Sequence, residues 1–192
     1  PDTRNVGKDA MKEDGTVNRG ALPAIFNPDD LNALEMALEM KDRMRNVEVV
    51  VITMGPTRAA DIIREAIFRG ADKGYLLTDR KFAGSDTLAT SYALFKAVQK
   101  INPDLIVCGL QAIDGDTAQG GPGIAAHLRL PQTCFVRKII SIEGCKARVE
   151  RLMEDGIDTV EMKLPALISV VKEINTPRLP SLRGKRNAKS VE

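Results

Sequence analysis

DLIVCGLQAIDGDTAQGGPGIAAHL, residues 104–128, decides how the chain is read. Its opening, 105–109, is short and apolar, as a buried strand requires, and at Gly109 it breaks into a loop rich in glycine and aspartate that leads into a helix. A strand, a loop and the bare N–H groups of a first helical turn together make a place for a nucleotide's phosphates. Gly109 lets a ligand approach the backbone, Thr117 is placed to cap the helix, and Gly120, Gly121 and Gly123 leave room for phosphate oxygens. Asp114 and Asp116 suit ribose hydroxyls, an adenine amino group or the loop's own N–H groups, because carboxylates repel phosphate. On these residues alone the stretch reads equally well as a helix start with turn glycines.

Upstream, residues 1–26 are irregular, with an Asp14-Gly15 turn between two strand-like pieces. Asn27 then caps a helix that has Pro28 in its first turn and Asp29 and Asp30 at its positive end, and that runs to about Met44. Leu31, Leu34, Ala37 and Leu38 share one arc, which Met36, Met40 and Met44 widen past half the circumference, so this helix is expected to be covered on two sides. Residues 47–54 read as a buried parallel strand, Ala59, Ile62, Ile63, Ala66 and Ile67 as the apolar face of a helix closed by Gly70, 74–78 as a strand and 86–100 as a helix.

Downstream of Leu130-Pro131 the spacing changes. Residues 133–142, 145–153, 158–164 and 166–171 read as antiparallel strands joined through Glu143-Gly144 and Asp155-Gly156 turns. The expected fold is therefore α/β: a doubly wound, mostly parallel open sheet of the adenine-nucleotide-binding type, with antiparallel strands near the C-terminal end. Prolines and basic residues take over from Thr176, so residues 1–175 are expected to form the domain and 176–192 an arm.

With 43% hydrophobic residues in 192, the chain is sized for one globular core. A net charge of +2 without aromatic interleaving argues against nucleic acid as a partner. Cys108, Cys134 and Cys145 have neither disulfide nor metal spacing, which points to reduced thiols and a cytoplasmic location. No apolar run has the length a bilayer needs, so no membrane insertion is expected, and the start at Pro1-Asp2-Thr3-Arg4 reads as that of a fragment. The single histidine, His127, has no nearby base or nucleophile and is read as packing. No dinucleotide GxGxxG, lysine-bearing phosphate loop or zinc cluster is present, so no catalytic or metal residue is assigned, and redox chemistry would have to come from a bound cofactor.

Three motifs resemble the beta subunit of electron transfer flavoprotein: Asn27-Pro28-Asp29-Asp30, the loop 109–120, and VERLMEDGIDTVEMKLPALIS at 149–169. The resemblance implies that Pro1-Asp2-Thr3 follows a first strand lying upstream. It also implies nucleotide contacts from Asn27, Pro28, Asp29, Asp30 and Met54, and from Gly109, Leu110, Gln111, Ala112, Ile113, Asp114, Gly115, Asp116, Thr117, Ala118, Gln119 and Gly120. QAIDGDTAQ at 111–119 before Gly121-Pro122, together with FAGSDTLATS at 82–91, resembles the electron-bifurcating group, although Gly120 stands where a bulkier residue is usual. That group holds FAD, where conventional members hold structural AMP. The resemblance then implies that NADH passes a hydride to this FAD, whose electrons divide between ferredoxin or flavodoxin and, through the FAD of an alpha subunit, an acyl-CoA or related dehydrogenase. It also implies a docking role for Leu182 in the tail. Two alternatives stay open: a conventional AMP-holding subunit, and a nucleotide-binding regulatory module of the universal-stress type.

Overall fold

The computed structural model describes residues 24–113, 115–182 and 184; the expected turn at Asp14-Gly15 and the site residue Asp114 lie outside them. Its elements run α1 (Pro28–Arg43), β1 (Val50–Met54), α2 (Ala60–Arg69), β2 (Lys73–Leu77), α3 (Thr87–Ile101), β3 (Leu105–Gly109), α4 (Gly120–Leu128), β4 (Gln132–Glu143), β5 (Lys146–Met153), β6 (Gly156–Lys163) and β7 (Ala166–Val170). Short 3-10 turns occupy Thr57–Ala59, Arg80–Phe82 and Lys172–Ile174.

β1 and β2 pair in parallel, and the other five strands form a second ladder ordered β3-β7-β4-β5-β6. β7 corrects the sequence expectation. It is a parallel strand, inserted between β3 and β4, where all five of its residues are buried. Ala-Leu-Ile-Ser-Val is an almost unbroken apolar run, which a strand covered on both faces needs; treating it as one more alternating strand of the meander mistook its environment. β4 pairs in parallel with β7 through its first residues and antiparallel with β5 thereafter. A register shift between Thr133 and Val136 makes the change, and Phe135 within it has φ 62°.

Helices cover both faces of the β1 and β3/β7 regions. On one face α1 lies across both ladders, with Leu34 and Leu38 against Val49, Val51 and α2, and Ala33 and Met36 against Val136, Ile168 and Val170. The opposite face packs Ile52, Ile106, Cys108 and Leu167 under Leu94 and Val98 of α3 and Ile124 and Ala125 of α4. The broad apolar arc of α1 is thus covered on two sides, as its heptad-like spacing requires.

Two boundaries differ from expectation for identifiable reasons. The strand expected from residue 47 begins at Val50, because the N–H of Val49 donates to the Asp72 carboxylate at 2.8 Å instead of joining the ladder. α4 begins at Gly120 with Gln119 at its cap, so Thr117 does not cap it. Asp116 and Ala118, both with φ 53°, turn the chain sharply and hold Thr117 outside the helix.

Candidate functional site

Gly109 ends β3 beside Val170 at the end of β7, and the loop 110–119 emerges at the carboxyl edge of the sheet, where open α/β sheets bind their ligands. Its path is set by the first turn of α1. The N–H of Gly109 donates to Asp30 Oδ1 at 2.8 Å, that of Gln111 to Asp29 Oδ2 at 3.3 Å, and that of Ile113 to Asn27 Oδ1 at 3.2 Å. The Asn27 side-chain amide donates in turn to the carbonyl of Gln111 at 2.8 Å and to Asp30 Oδ2 at 3.0 Å. Asn27 therefore stands at the N-cap position but makes no side-chain cap bond to its own helix. Burial pushes the Asp30 carboxyl up, while the Gly109 N–H and the Asn27 amide pull it down and the neighbouring Asp29 adds repulsion.

The approach of helix to strand is close enough that position 109 tolerates no side chain. A Cβ there would lie 2.6 Å from the Asp29 carbonyl carbon and 2.7 Å from the Asp30 nitrogen. At Gly121 a Cβ would lie 2.6 Å from Cys108 Sγ, so α4 too is seated directly on β3. Burial pushes the Cys108 thiol far up, with Asp30 and Cys134 adding to the shift, so it sits in the core as an inert protonated group. All three cysteines are free.

Past Ile113 the loop folds on itself, with the N–H groups of Gly115 and Asp116 both directed to the carbonyl of Ala112, at 3.4 and 2.9 Å. Asp116 and Ala118 then take left-handed conformations that cost non-glycine residues energy and cluster at functional sites. The Gln119 carbonyl accepts from the Gly123 N–H at 2.9 Å and opens α4, and because Pro122 has no N–H, the first-turn donors left outside the helical ladder are those of Gly120 and Gly121. The structure thus brings Asn27, Asp29 and Asp30 onto the segment 109–113. Pro28 is exposed beside them. Met54 ends β1 and pairs with Leu77, with no recorded hydrogen bond to the loop among the described residues.

His127 stacks on Phe95, with centroids 5.4 Å apart, and meets the edge of Tyr92 at 5.5 Å. Packing of α4 on α3 accounts for it. Among the described residues no group of histidine, cysteine and carboxylate side chains could hold a metal ion, and no helix is long and apolar enough to cross a membrane.

One network escaped the sequence reading altogether. Asn32 Nδ2 donates to the carbonyls of Lys172 and Asn175 at 3.1 and 2.9 Å, and Asn175 Nδ2 returns a bond to the Asn32 carbonyl at 3.0 Å. Two oxygens of Glu35 grip the Arg178 guanidinium at 2.9 and 3.0 Å, and Asp42 takes it at 2.7 Å. Arg69 donates to the carbonyl of Arg178, and Ser181 N–H to that of Phe68 at 3.0 Å. The tail is therefore fastened across α1 and α2, leaving Leu179 and Leu182 82–83% exposed. The signal for it was Asn32 and Glu35, two buried polar residues three apart in an apolar helix arc.

The electron transfer flavoprotein domain model matches residues 14–192. The chain belongs to the electron transfer flavoprotein family. It is 51% identical to electron transfer flavoprotein subunit beta of Thermoanaerobacterium thermosaccharolyticum, over 98% of this chain and 71% of that one. Caffeyl-CoA reductase-Etf complex subunit CarD of Acetobacterium woodii is 49% identical over 96% of this chain and 70% of its own. The acryloyl-CoA reductase electron transfer subunit gamma of Anaerotignum propionicum is 45% identical over 96% and 69%. The resemblance seen in the three motifs is thus a membership in this flavoprotein family, on its beta-subunit side.

Proposed function

We propose that this flavoprotein beta subunit holds an adenine nucleotide in the loop 109–120, and that the nucleotide is FAD, reduced by NADH. The carrying observation is the loop itself, clamped to α1 at one end and released through two left-handed residues onto the glycine-rich start of α4 at the other. These residues fit the group. Gly115 and Gly120 are open, with nothing within 4 Å of where a Cβ would stand, and α4 offers N–H donors to phosphate. Asp116 suits ribose hydroxyls. When bound, the flavin supplies the two-electron and one-electron chemistry that no side chain here can perform. The chain's own part is to bind and orient it.

Relatives named as subunits of caffeyl-CoA and acryloyl-CoA reductase complexes support an acyl-CoA-type dehydrogenase as one electron acceptor. The proposal adds an alpha subunit as the heterodimer partner and ferredoxin or flavodoxin as the other acceptor. In this reading residues 1–175 are the nucleotide domain and 176–192 the partner-recognition segment, working in the cytoplasm. AMP in place of FAD is the second reading, favoured by the same loop, since both carry the adenosine phosphate that it suits.

Flavin and adenine-nucleotide content of the full-length subunit purified with its alpha partner, followed by NADH titration, tests the proposal. Two FAD per heterodimer, reduced by NADH, is the expected result; one FAD and one AMP without a response to NADH overturns it. Thr117→Trp is expected to lower bound nucleotide at least tenfold by filling the loop, and unchanged content would reject the loop as the site. Leu182→Ala is expected to slow electron delivery to the dehydrogenase about tenfold while NADH oxidation continues, as loss of an interface anchor would. An unaltered delivery rate would remove Leu182 from the docking surface.

A further inference from the structure

We infer that Asn27, Asp29 and Asp30 act on the nucleotide as positioning residues, through the amides of Gly109, Gln111 and Ile113. The inference rests on the loop being the nucleotide site. Three side chains from one helical turn engage every second amide of one segment, at 2.8, 3.3 and 3.2 Å, so the pairing follows the backbone repeat residue by residue. Asn27 works in both directions, accepting from Ile113 while donating to the carbonyl of Gln111, and its second donation to Asp30 fixes which way its amide faces.

The charge argument points the same way. Two adjacent carboxylates at the mouth of a phosphate site would repel the ligand if they were free; directed onto backbone donors, their charge is met within the protein. Their bonds also carry geometry. With Gly109 held against the Asp29 backbone and Ile113 tied to Asn27, the segment between them has little freedom, and the turn at 112–116 starts from a set point. The left-handed residues Asp116 and Ala118 then bring the chain to α4 on one path. A loop ordered before binding loses less entropy when the ligand arrives.

Amide exchange at single-residue resolution, together with AMP and FAD titration, tests this on the full-length subunit in its heterodimer. Asp30→Ala is expected to speed exchange at Gly109, and Asp29→Ala at Gln111, each at least tenfold, with AMP and FAD bound about tenfold more weakly. Asp30→Asn keeps an oxygen for the Gly109 N–H and is expected to restore that amide's protection, a rescue that mere loss of fold would not give. Asn27→Leu removes the oxygen that accepts from Ile113 and the amide that donates to the Gln111 carbonyl, and is expected to speed exchange at Ile113. Amides that stay protected in the alanine variants overturn the clamp, and so does a tenfold loss of affinity without any change in exchange, which would make the carboxylates direct ligands. A wild-type subunit that binds neither AMP nor FAD overturns the nucleotide reading, and the positioning role with it; binding that persists with the amides unmoved overturns the clamp alone.

Discussion

Gly109→Val is expected to destabilise the subunit by about 3 kcal/mol or more, and to lower its Tm on the order of 10 °C. The first carbon of the new side chain would stand 2.6 Å from the carbonyl carbon and Cβ of Asp29, and 2.7 Å from the Asp30 nitrogen. Those atoms belong to the opening turn of α1, which cannot step aside alone, because α1 is packed on both ladders at once through Leu34 and Leu38 on one side and Ala33 and Met36 on the other. Either the helix shifts and loosens two core clusters, or the end of β3 peels away and gives up the 2.8 Å bond from Gly109 to Asp30. Both routes also move the loop, so bound nucleotide should fall with stability. Gly120→Ala is the control. A Cβ there meets nothing within 4 Å, and its cost should be within ~0.5 kcal/mol. Thermal unfolding of the two variants beside the parent checks the pair, and a Gly109→Val protein melting with the parent would mean that the contact between α1 and β3 is looser than the structure has it.

The alternation of strands and helices from Val50 to Leu128 was legible because each element announces itself locally. The 105–109 strand was read to the residue, since an apolar run stopped by a glycine has no competing interpretation. α1 was read nearly as well from Asn27, Pro28 and its methionines. What failed was partnership. The direction of β7 depends on which strands flank it, and nothing within Ala-Leu-Ile-Ser-Val states that β3 and β4 will leave a place between them. The same holds for Asn27: its identity as a cap residue was correct as a preference, yet a tertiary acceptor and donor in the loop outcompeted the local bond.

Thr117 failed for a subtler reason. Threonine before a glycine-rich helix is a sound cap signal, but the left-handed turns at Asp116 and Ala118 can be assigned only once the loop has been anchored at 109–113 by a helix some eighty residues earlier. Family resemblance pointed to both the opening turn of α1 and the loop, and the structure brings Asn27, Asp29 and Asp30 onto residues 109–113. The hydrogen bonds that join them are a property of the fold.

Arg178→Ala is expected to cost about 2–3 kcal/mol and to release the tail, a larger effect than Glu35→Ala at the other end of the same pair. Removing the arginine leaves a carboxylate whose side chain is 7% exposed with the backbone N–H of residue 178, at 2.9 Å, in place of three guanidinium bonds. Removing the glutamate leaves a guanidinium that is one-third exposed and still bonded to Asp42, so water and a second acid soften the loss. Glu35→Leu with Arg178→Met is expected to recover most of the stability, because the desolvation of both charges disappears together with their attraction. Chemical denaturation measures the cycle. On the proposed function the outcomes divide differently: the double variant keeps the fold but lacks the bidentate grip that seats the backbone before Leu179 and Leu182, so a protease of broad specificity should cut the tail faster and delivery of electrons to the dehydrogenase should fall while NADH oxidation persists. Equal costs for the two single variants would show that Asp42 carries none of the load. A double variant with full delivery would show that the seams through Asn32 and Phe68 hold the tail without the ion pair.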